Sequence, residues 1–355
     1  GADRIHGEAV AGGGGSDAVN LGASDDQVTL AGSRAFNTSG LAFSGFGRVD
    51  GGGGKDTLLL SAAADEVVIE GSKALRTADV RFTQFEVVDA SAGGVDRAIL
   101  TAGDDAVRLL GTQRIATSDL ELIGVELVDG AGGRNSLELP EGDDVLTVAD
   151  NRSFKAGDVS FGAFDAVAGG GGRDTVRLTD RDETLTLAGA KRFSAYQIAF
   201  SDIESVDAGA GRDQLLLTAG DDTLAVRGEG ELLTQDISFT RLETVDGGSG
   251  HDIAHLTNES DTIAYQGGGT FATRSLTFQA IETVQAGGGQ DQLTLTPTDD
   301  EVTLTGPNQL TLAGLTVLDL ETVAGGGGDD RVHLTAGDDA VQITGEASFS
   351  TLGLA

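Results

Sequence analysis

Acidic residues recur at fixed positions in this chain, and carboxylates so arranged suit one kind of chemistry: holding hard cations. A glycine-rich turn closes on an acid at Asp17 (GGGGSD), Asp56 (GGGGKD), Asp96 (AGGVD), Asp174 (GGGGRD), Asp213 (GAGRD), Asp252 (GGSGHD), Asp291 (GGGQD) and Asp330 (GGGGDD). At the ninth such turn, GAGGRN, the closing residue is the amide Asn135. A second turn, most often written LTAGDD, closes on Asp26, Asp65, Asp105, Asp144, Glu183, Asp222, Asp261, Asp300 and Asp339. Carboxylates stacked at a coil spacing repel one another unless cations or N–H donors neutralise them. Ca²⁺ takes six to eight oxygens, and glycine-rich turns leave backbone carbonyls free to join carboxylates around it. The aspartates of both series are therefore the candidate metal ligands, and Ca²⁺ is the one cofactor to expect. The competing reading is structural: each Asp accepts N–H groups of its own turn, and glycine supplies only positive φ.

Two further positions recur. A recurring acid precedes the last strand in seven units (Glu86, Glu126, Asp165, Glu204, Glu243, Glu282, Glu321). It either completes a cation site or caps a backbone amide, and capping is the simpler role. A hydroxyl follows the first strand (Ser61, Thr101, Thr179, Thr218, Thr257, Thr296, Thr335), where it can stabilise the turn as an internal ladder. Outward Thr rows of an ice-binding kind are absent, because outward positions such as Val68, Arg108 and Gln342 are mixed.

Catalysis finds no constellation. The histidines His6, His251, His255 and His333 form no row, and Tyr196 and Tyr265 are the only tyrosines. Paired carboxylates are everywhere, so proximity of two acids says nothing about acid–base work. No unit departs sharply from its neighbours beyond small changes at Asn135–Pro140 and Asn258–Ser260. No enzyme is expected.

The elements that position these acids follow from the spacing. The nine turn marks lie 39 residues apart, with one step of 40 between Asp56 and Asp96. A period in this range signals stacked supersecondary units. In the unit from Gly51 to Asp89, Leu58 and Leu60 alternate inward after the first turn, and Val67 and Ile69 after the second. Such alternation between Gly/Asp turns marks half-buried strands. About ten variable residues then lead to a third strand carrying Val80 and Phe82, and a kinked Phe85–Asp89 segment follows, its apolar residues three apart as at a corner or bulge. The fold class is all-β: a parallel β-solenoid of about nine repeats forming one continuous array over residues 1–355, with four strands per repeat. Two coils per repeat would rise roughly 9.6 Å per unit and on the order of 85 Å for the array. Both ends fall within a repeat, so the chain is expected to be part of a longer one or a processed product.

GGGGKDTLL and GAGRDQLLL fit the nonapeptide G-G-x-G-x-D-x-U-x, and LTAGDDTLA keeps its Gly, Asp and apolar positions. In these residues the chain resembles the RTX, or hemolysin-type, β-roll repeats of secreted bacterial proteins. It is similar, more closely, to arrays of β-strand repeats in giant bacterial surface proteins and adhesins, where F-x-x-F-E-x-V precedes the glycine turn. The resemblance implies a secreted or cell-surface, calcium-associated, passive structural or adhesive segment. One departure matters: an RTX site forms between full motifs about 18 residues apart on one edge, whereas here the full motif returns after 39.

Composition agrees with that class. A net charge of −34 argues against nucleic acid or anionic membrane as a partner. The absence of cysteine excludes disulfides and thiolate metal sites, and no apolar run approaches the ~18 residues of a membrane helix. The expected function is a structural segment of an adhesin stalk, matrix fibre or surface-layer component that extends and displays. Its expected partners are itself, neighbouring repeats, or a cell-surface or matrix polysaccharide, met through variable loops such as Gly111–Asp119 and Ala190–Gln197. A calcium-binding module that folds on secretion is the alternative, and an accessory module of an extracellular polysaccharide-active enzyme the third.

Overall fold

The computed structural model describes residues 9–13, 16–337, 339–345 and 348–351, so His6 lies outside the described residues. All of its regular elements are β-strands. They form a β-solenoid, as expected, but each repeat from the one opening at Asp17 to the one opening at Asp291 holds five strands rather than four. From Asp56 these are Thr57–Leu59, Glu66–Gly71, Ala74–Thr77, Val80–Thr83 and Val87–Asp89.

The unexpected strand is the third. Ala74–Thr77 lies inside the variable stretch, pairing antiparallel with the second strand on one side and the fourth on the other. Its sequence, ALRT, turns only Leu75 and Thr77 inward. An alternation this short, with threonine as one of its two inward residues, does not stand out from a polar loop. The same strand occupies the loops around Gly111–Asp119 and Ala190–Gln197, as Arg114–Thr117 and Arg192–Ala195.

The path of the chain also departs from two coils per repeat. The first and fifth strands of the repeat pair parallel in one sheet, while the second, third and fourth form a meander in the other. The next repeat exchanges the sheets. Its first strand, Arg97–Ile99, joins the preceding meander beside Glu66–Gly71, and its own meander joins the sheet of Val87–Asp89. Each repeat thus crosses between sheets three times, which is one and a half coils, and successive repeats are turned over. Five strands shared between two sheets advance about 12 Å per repeat at the usual strand spacing. Odd crossings are the reason full glycine motifs do not return on the same edge in consecutive coils.

The chain forms two compact units, Gly1–Asp174 with Tyr196–Asp202, and Thr175–Ala195 with Ile203–Ala355. Both use the same repeat. Their cores are ladders of inward side chains: Leu58, Leu60, Val67, Ile69, Leu75, Phe82, Phe85 and Val88 are all buried in the Asp56 repeat. Meanders that carry phenylalanine on the third and fourth strands stack the rings, as Phe154 on Phe161 at 5.3 Å and Phe271 on Phe278 at 4.9 Å. Stacked or edge-on aromatic pairs of this kind add about 0.5–1.5 kcal/mol beyond their burial.

Candidate functional site

The acids meet at the turns between sheets, and the unit of assembly is a stack of three. The glycine turn of one repeat lies on the second turn of the repeat before it, 30 residues earlier: Gly53 N–H donates to the Gly22 carbonyl at 3.1 Å, and Thr57 N–H to the Asp26 carbonyl at 2.9 Å. Backbone rests directly on backbone, which is what the glycines provide. A Cβ on Gly172 (φ +124°) would lie 2.3 Å from the Gly142 carbonyl oxygen.

Within a stack the side chains bond from layer to layer. Asp56 Oδ1 accepts the Asp26 N–H at 2.8 Å, and Asp56 N–H donates to Glu86 Oε2 at 2.7 Å. The pattern recurs as Asp65–Asp96–Glu126, Glu183–Asp213–Glu243, Asp222–Asp252–Glu282 and Asp261–Asp291–Glu321. Asp144 N–H likewise donates to Asp174 and Asp300 N–H to Asp330. The glycine-turn Asp therefore accepts from the coil before it, not from its own turn. Acids of the second turn do cap their own turn: Asp65 Oδ2 accepts both the N–H and the hydroxyl of Ser61 at 2.8 Å, and Asp222 accepts those of Thr218. The Ser/Thr position is thus a turn cap, not a hydroxyl ladder. In the two series, Asp26 caps its Gly22 N–H, Asp105 and Asp339 hold the hydroxyls of Thr101 and Thr335, and Asp17 lies in the first glycine turn with its carbonyl oxygen accepting Gly47 N–H.

What the central residue does with its other oxygen is best seen at Asn135. Its Oδ1 accepts Asp105 N–H, and its Nδ2 faces three carbonyl oxygens: Gly130 at 2.8 Å, Gly132 at 3.1 Å and Ala163 at 2.9 Å. These stand five and three residues before it and 28 after it. Other repeats put an acid oxygen in this cage. The Cβ that Gly130 lacks would lie 2.4 Å from Asn135 Nδ2 and 2.6 Å from the Ala163 oxygen; at Gly51 the corresponding distances are 2.4 Å to Asp56 Oδ2 and 2.5 Å to the Gln84 oxygen. At Gly247 they are 2.6 Å to Asp252 Oδ2 and 1.9 Å to the Ala280 oxygen.

Asp56, Asp96, Asp213, Asp252 and Asp291 are at most 1% exposed, and the Oδ2 of each has no hydrogen-bond donor. Burial pushes the carboxyls of Asp56, Asp96, Asp252 and Asp291 above the ordinary range, and neighbouring acids add to the rise. Burial raises Asp144 as well. For Asp213, burial and the adjacent Glu183 carboxyl together push the value up to about 8. A buried carboxylate oxygen aimed at carbonyl oxygens needs a positive centre beside it, a proton or a cation. Oxygen-only surroundings of this kind suit a hard cation such as Ca²⁺. Among the described residues, no three Asp, Glu or His side chains converge closely enough to hold a metal by themselves, so any such site would be built from carboxylate and carbonyl together.

Two positions that sequence reasoning passed over belong to this assembly. The first acid of the second turn accepts a backbone N–H from the stacked glycine turn, as Asp25 does from Lys55 and Asp104 from Arg134, both at 2.8 Å. The tip between second and third strands reaches the outer acid 13 residues on: Lys73 to Glu86 at 2.8 Å, Arg152 to Asp165 at 2.7 Å, Lys191 to Glu204 at 2.7 Å and Gln113 to Glu126 at 3.2 Å. The recurring 13-residue spacing was the available signal. His251 and His333 pair separately, with Thr283 and Glu301. No protein-family model matches the chain, and no curated protein is significantly similar to it.

Proposed function

We propose that this protein is a structural repeat segment that extends and displays, in a secreted or cell-surface setting. The observation that carries this reading is uniformity: from repeat to repeat the same backbone hydrogen bonds, hydrophobic ladder and turn-on-turn stack recur, and side chains vary chiefly on the outer faces. Such a nearest-neighbour design suits length and rigidity, since each repeat is held by those beside it. The acidic composition and the resemblance to bacterial surface arrays support the extracellular assignment. Partners of the expected kinds, further repeats or an extracellular polysaccharide, would meet the sheet faces and hairpin tips.

One observation favours calcium as a second element of the function. The donor-less Oδ2 atoms of buried Asp56, Asp96, Asp252 and Asp291 are where a cation would relieve carboxylate–carbonyl repulsion. Circular dichroism and thermal melts of the full chain in EDTA, then in millimolar Ca²⁺, test both readings. A self-sufficient structural array keeps its β-signature in EDTA and melts higher with calcium. A chain that is unfolded in EDTA belongs to the fold-on-secretion class instead, and a melt indifferent to calcium removes the metal from the account. Turnover of an acidic polysaccharide by the isolated chain would contradict the structural reading.

A further inference from the structure

Three arginines stand side by side on one outward sheet face, in a chain whose net charge is −34. The strand pairings put them there. Arg81 on Val80–Thr83 lies opposite Arg48 on the strand Arg48–Asp50, and on its other side opposite Arg76 on Ala74–Thr77. The row continues through Val68 to Ile99. Like charges directly opposite one another destabilise a sheet, so the fold itself does not call for this arrangement. Other repeats do without it. The pair matching Arg76 and Arg81 is Asn37 with Ala42, Lys155 with Ser160, Leu233 with Ser238, and Thr311 with Thr316.

Acids on the same face do not use up these groups. Arg48 meets Asp50 Oδ2 at 3.1 Å, and the Thr83 hydroxyl donates to the same oxygen. Glu70 accepts from Arg81 at 2.6 Å, while Arg76 stays 3.6 Å from it, beyond hydrogen-bond length. Three guanidinium groups thus share two carboxylates, and each carries five N–H donors. The side chains of Arg48, Arg81 and Arg76 are 51%, 51% and 57% exposed, so their remaining donors face solvent. Val68 and Ile99, next in the row, are half-buried and add an apolar stretch to the same line.

We infer that this row binds a linear carboxylated polysaccharide, a polyuronate, lying across the strands. The inference rests on the polysaccharide partner proposed above, and gives that partner a face and a charge. Neighbouring strands are about 4.8 Å apart, close to the length of one pyranose residue. Successive carboxylates of such a polymer therefore meet successive arginines. Guanidinium offers a carboxylate two parallel N–H bonds, which a lysine cannot. The C–H faces of the following sugar rings rest on Val68 and Ile99. Nucleic acid fits worse, since a duplex carries one charge per ~1.7 Å, far denser than one arginine per strand. Salt confines repulsion from the rest of the chain to about 8 Å at physiological ionic strength, so the local row governs a polymer of lower charge density.

The test is calorimetric titration of the full chain with polygalacturonate, with neutral dextran, dextran sulfate and single-stranded DNA as comparisons. The unaltered chain should bind polygalacturonate, more weakly as salt is raised, and should ignore dextran. The double variant Arg76→Asn, Arg81→Ser carries residues that other repeats hold at these positions, Asn37 and Ser160. It should keep its melt and lose at least tenfold in affinity. Arg108→Thr, which removes a positive charge from the other sheet, should change affinity less than twofold. If polygalacturonate binding ignores the double variant, the polysaccharide partner stands and this face is wrong. If the chain binds dextran but not polygalacturonate, the partner again stands and the inference fails; if it binds neither, both fail. Equal losses in Arg108→Thr and the double variant would mean bulk charge, and tighter binding of dextran sulfate or DNA a different anion. A collapsed melt of the double variant would mean a structural row. Each of these overturns the inference.

Discussion

The turns at Asn135 and Asp213 share a backbone and differ in what completes it. Each central residue accepts an N–H from the layer before and donates its own to the layer after, at 3.0 and 2.9 Å for Asn135 and 2.8 and 2.7 Å for Asp213. Beyond that the two diverge. Asn135 brings its own donor to the three carbonyls, and Arg152 covers the outer Asp165. Asp213 brings a buried acceptor oxygen with no hydrogen-bond donor, beside the Glu183 carboxyl and with Gly230 at the tip. The comparison separates two jobs that the repeat motif combines. Glycines and layer-to-layer bonds build the turn, and the central residue with its tip partner sets how much charge is left inside it.

Breaking the shared part should damage both turns alike. Gly133→Ala and Gly211→Ala place a Cβ 2.3 Å from the carbonyl oxygens of Gly103 and Arg181, at φ +76° and +132°. Each should cost on the order of 3 kcal/mol or more in chemical denaturation, because the obstacle is backbone rather than a movable side chain. Asn135→Ala is next. It removes one acceptor and the donor facing three carbonyls, and should cost about 2–3 kcal/mol, insensitive to calcium.

Interchanging the two centres sharpens the comparison. In chelator at pH 8, Asn135→Asp should destabilise by about 1–3 kcal/mol, and Asp213→Asn should stabilise by about 1–2 kcal/mol, since one adds and the other removes a buried unpaired carboxylate. Chelated melts of both, read side by side, check the opposite signs. The pH dependence has a definite direction. A carboxyl raised in the folded state favours folding most at low pH, below its unfolded value, and that advantage is lost as pH rises through its folded value. For Asp213 without a cation, the loss runs up to about pH 8. Asp213→Asn should flatten this fall in melting temperature between pH 5 and 9, while Asn135→Ala should leave it in place. The smallest effect belongs to the exposed tips: Lys73→Ala should leave the denaturation midpoint almost unmoved, because solvated ion pairs contribute little.

Much of the fold was legible because its ladders are written in large side chains. Leu58, Val67, Ile69 and Phe82 alternate with polar residues, and the 39-residue marks fix the repeat. The third strand was not legible, since ALRT and SFKA carry only two inward residues each, one of them small or polar. Coil count was hidden for a related reason: an unseen strand makes the number of sheet crossings unreadable. The acids themselves were found, but their partners were not. Asp56 and Asp26 meet at a separation of 30 residues, which depends on crossings between sheets rather than on the repeat length. The role of Asn135 was plain only once three carbonyls stood around its amide, although its being the single amide among nine marks was the clue in the sequence.

Hydrogen exchange of two backbone amides tests the central claim most directly. Asp105 N–H is held by Asn135, and Glu183 N–H by Asp213. Measured on the full chain at neutral pH, Asp105 should exchange equally slowly in EDTA and in millimolar Ca²⁺, whereas Glu183 should exchange faster in EDTA and slow by at least tenfold when calcium is added. Equal response of the two amides, or none in either, would contradict the claim that the occupant of the central position sets each turn's dependence on a bound cation.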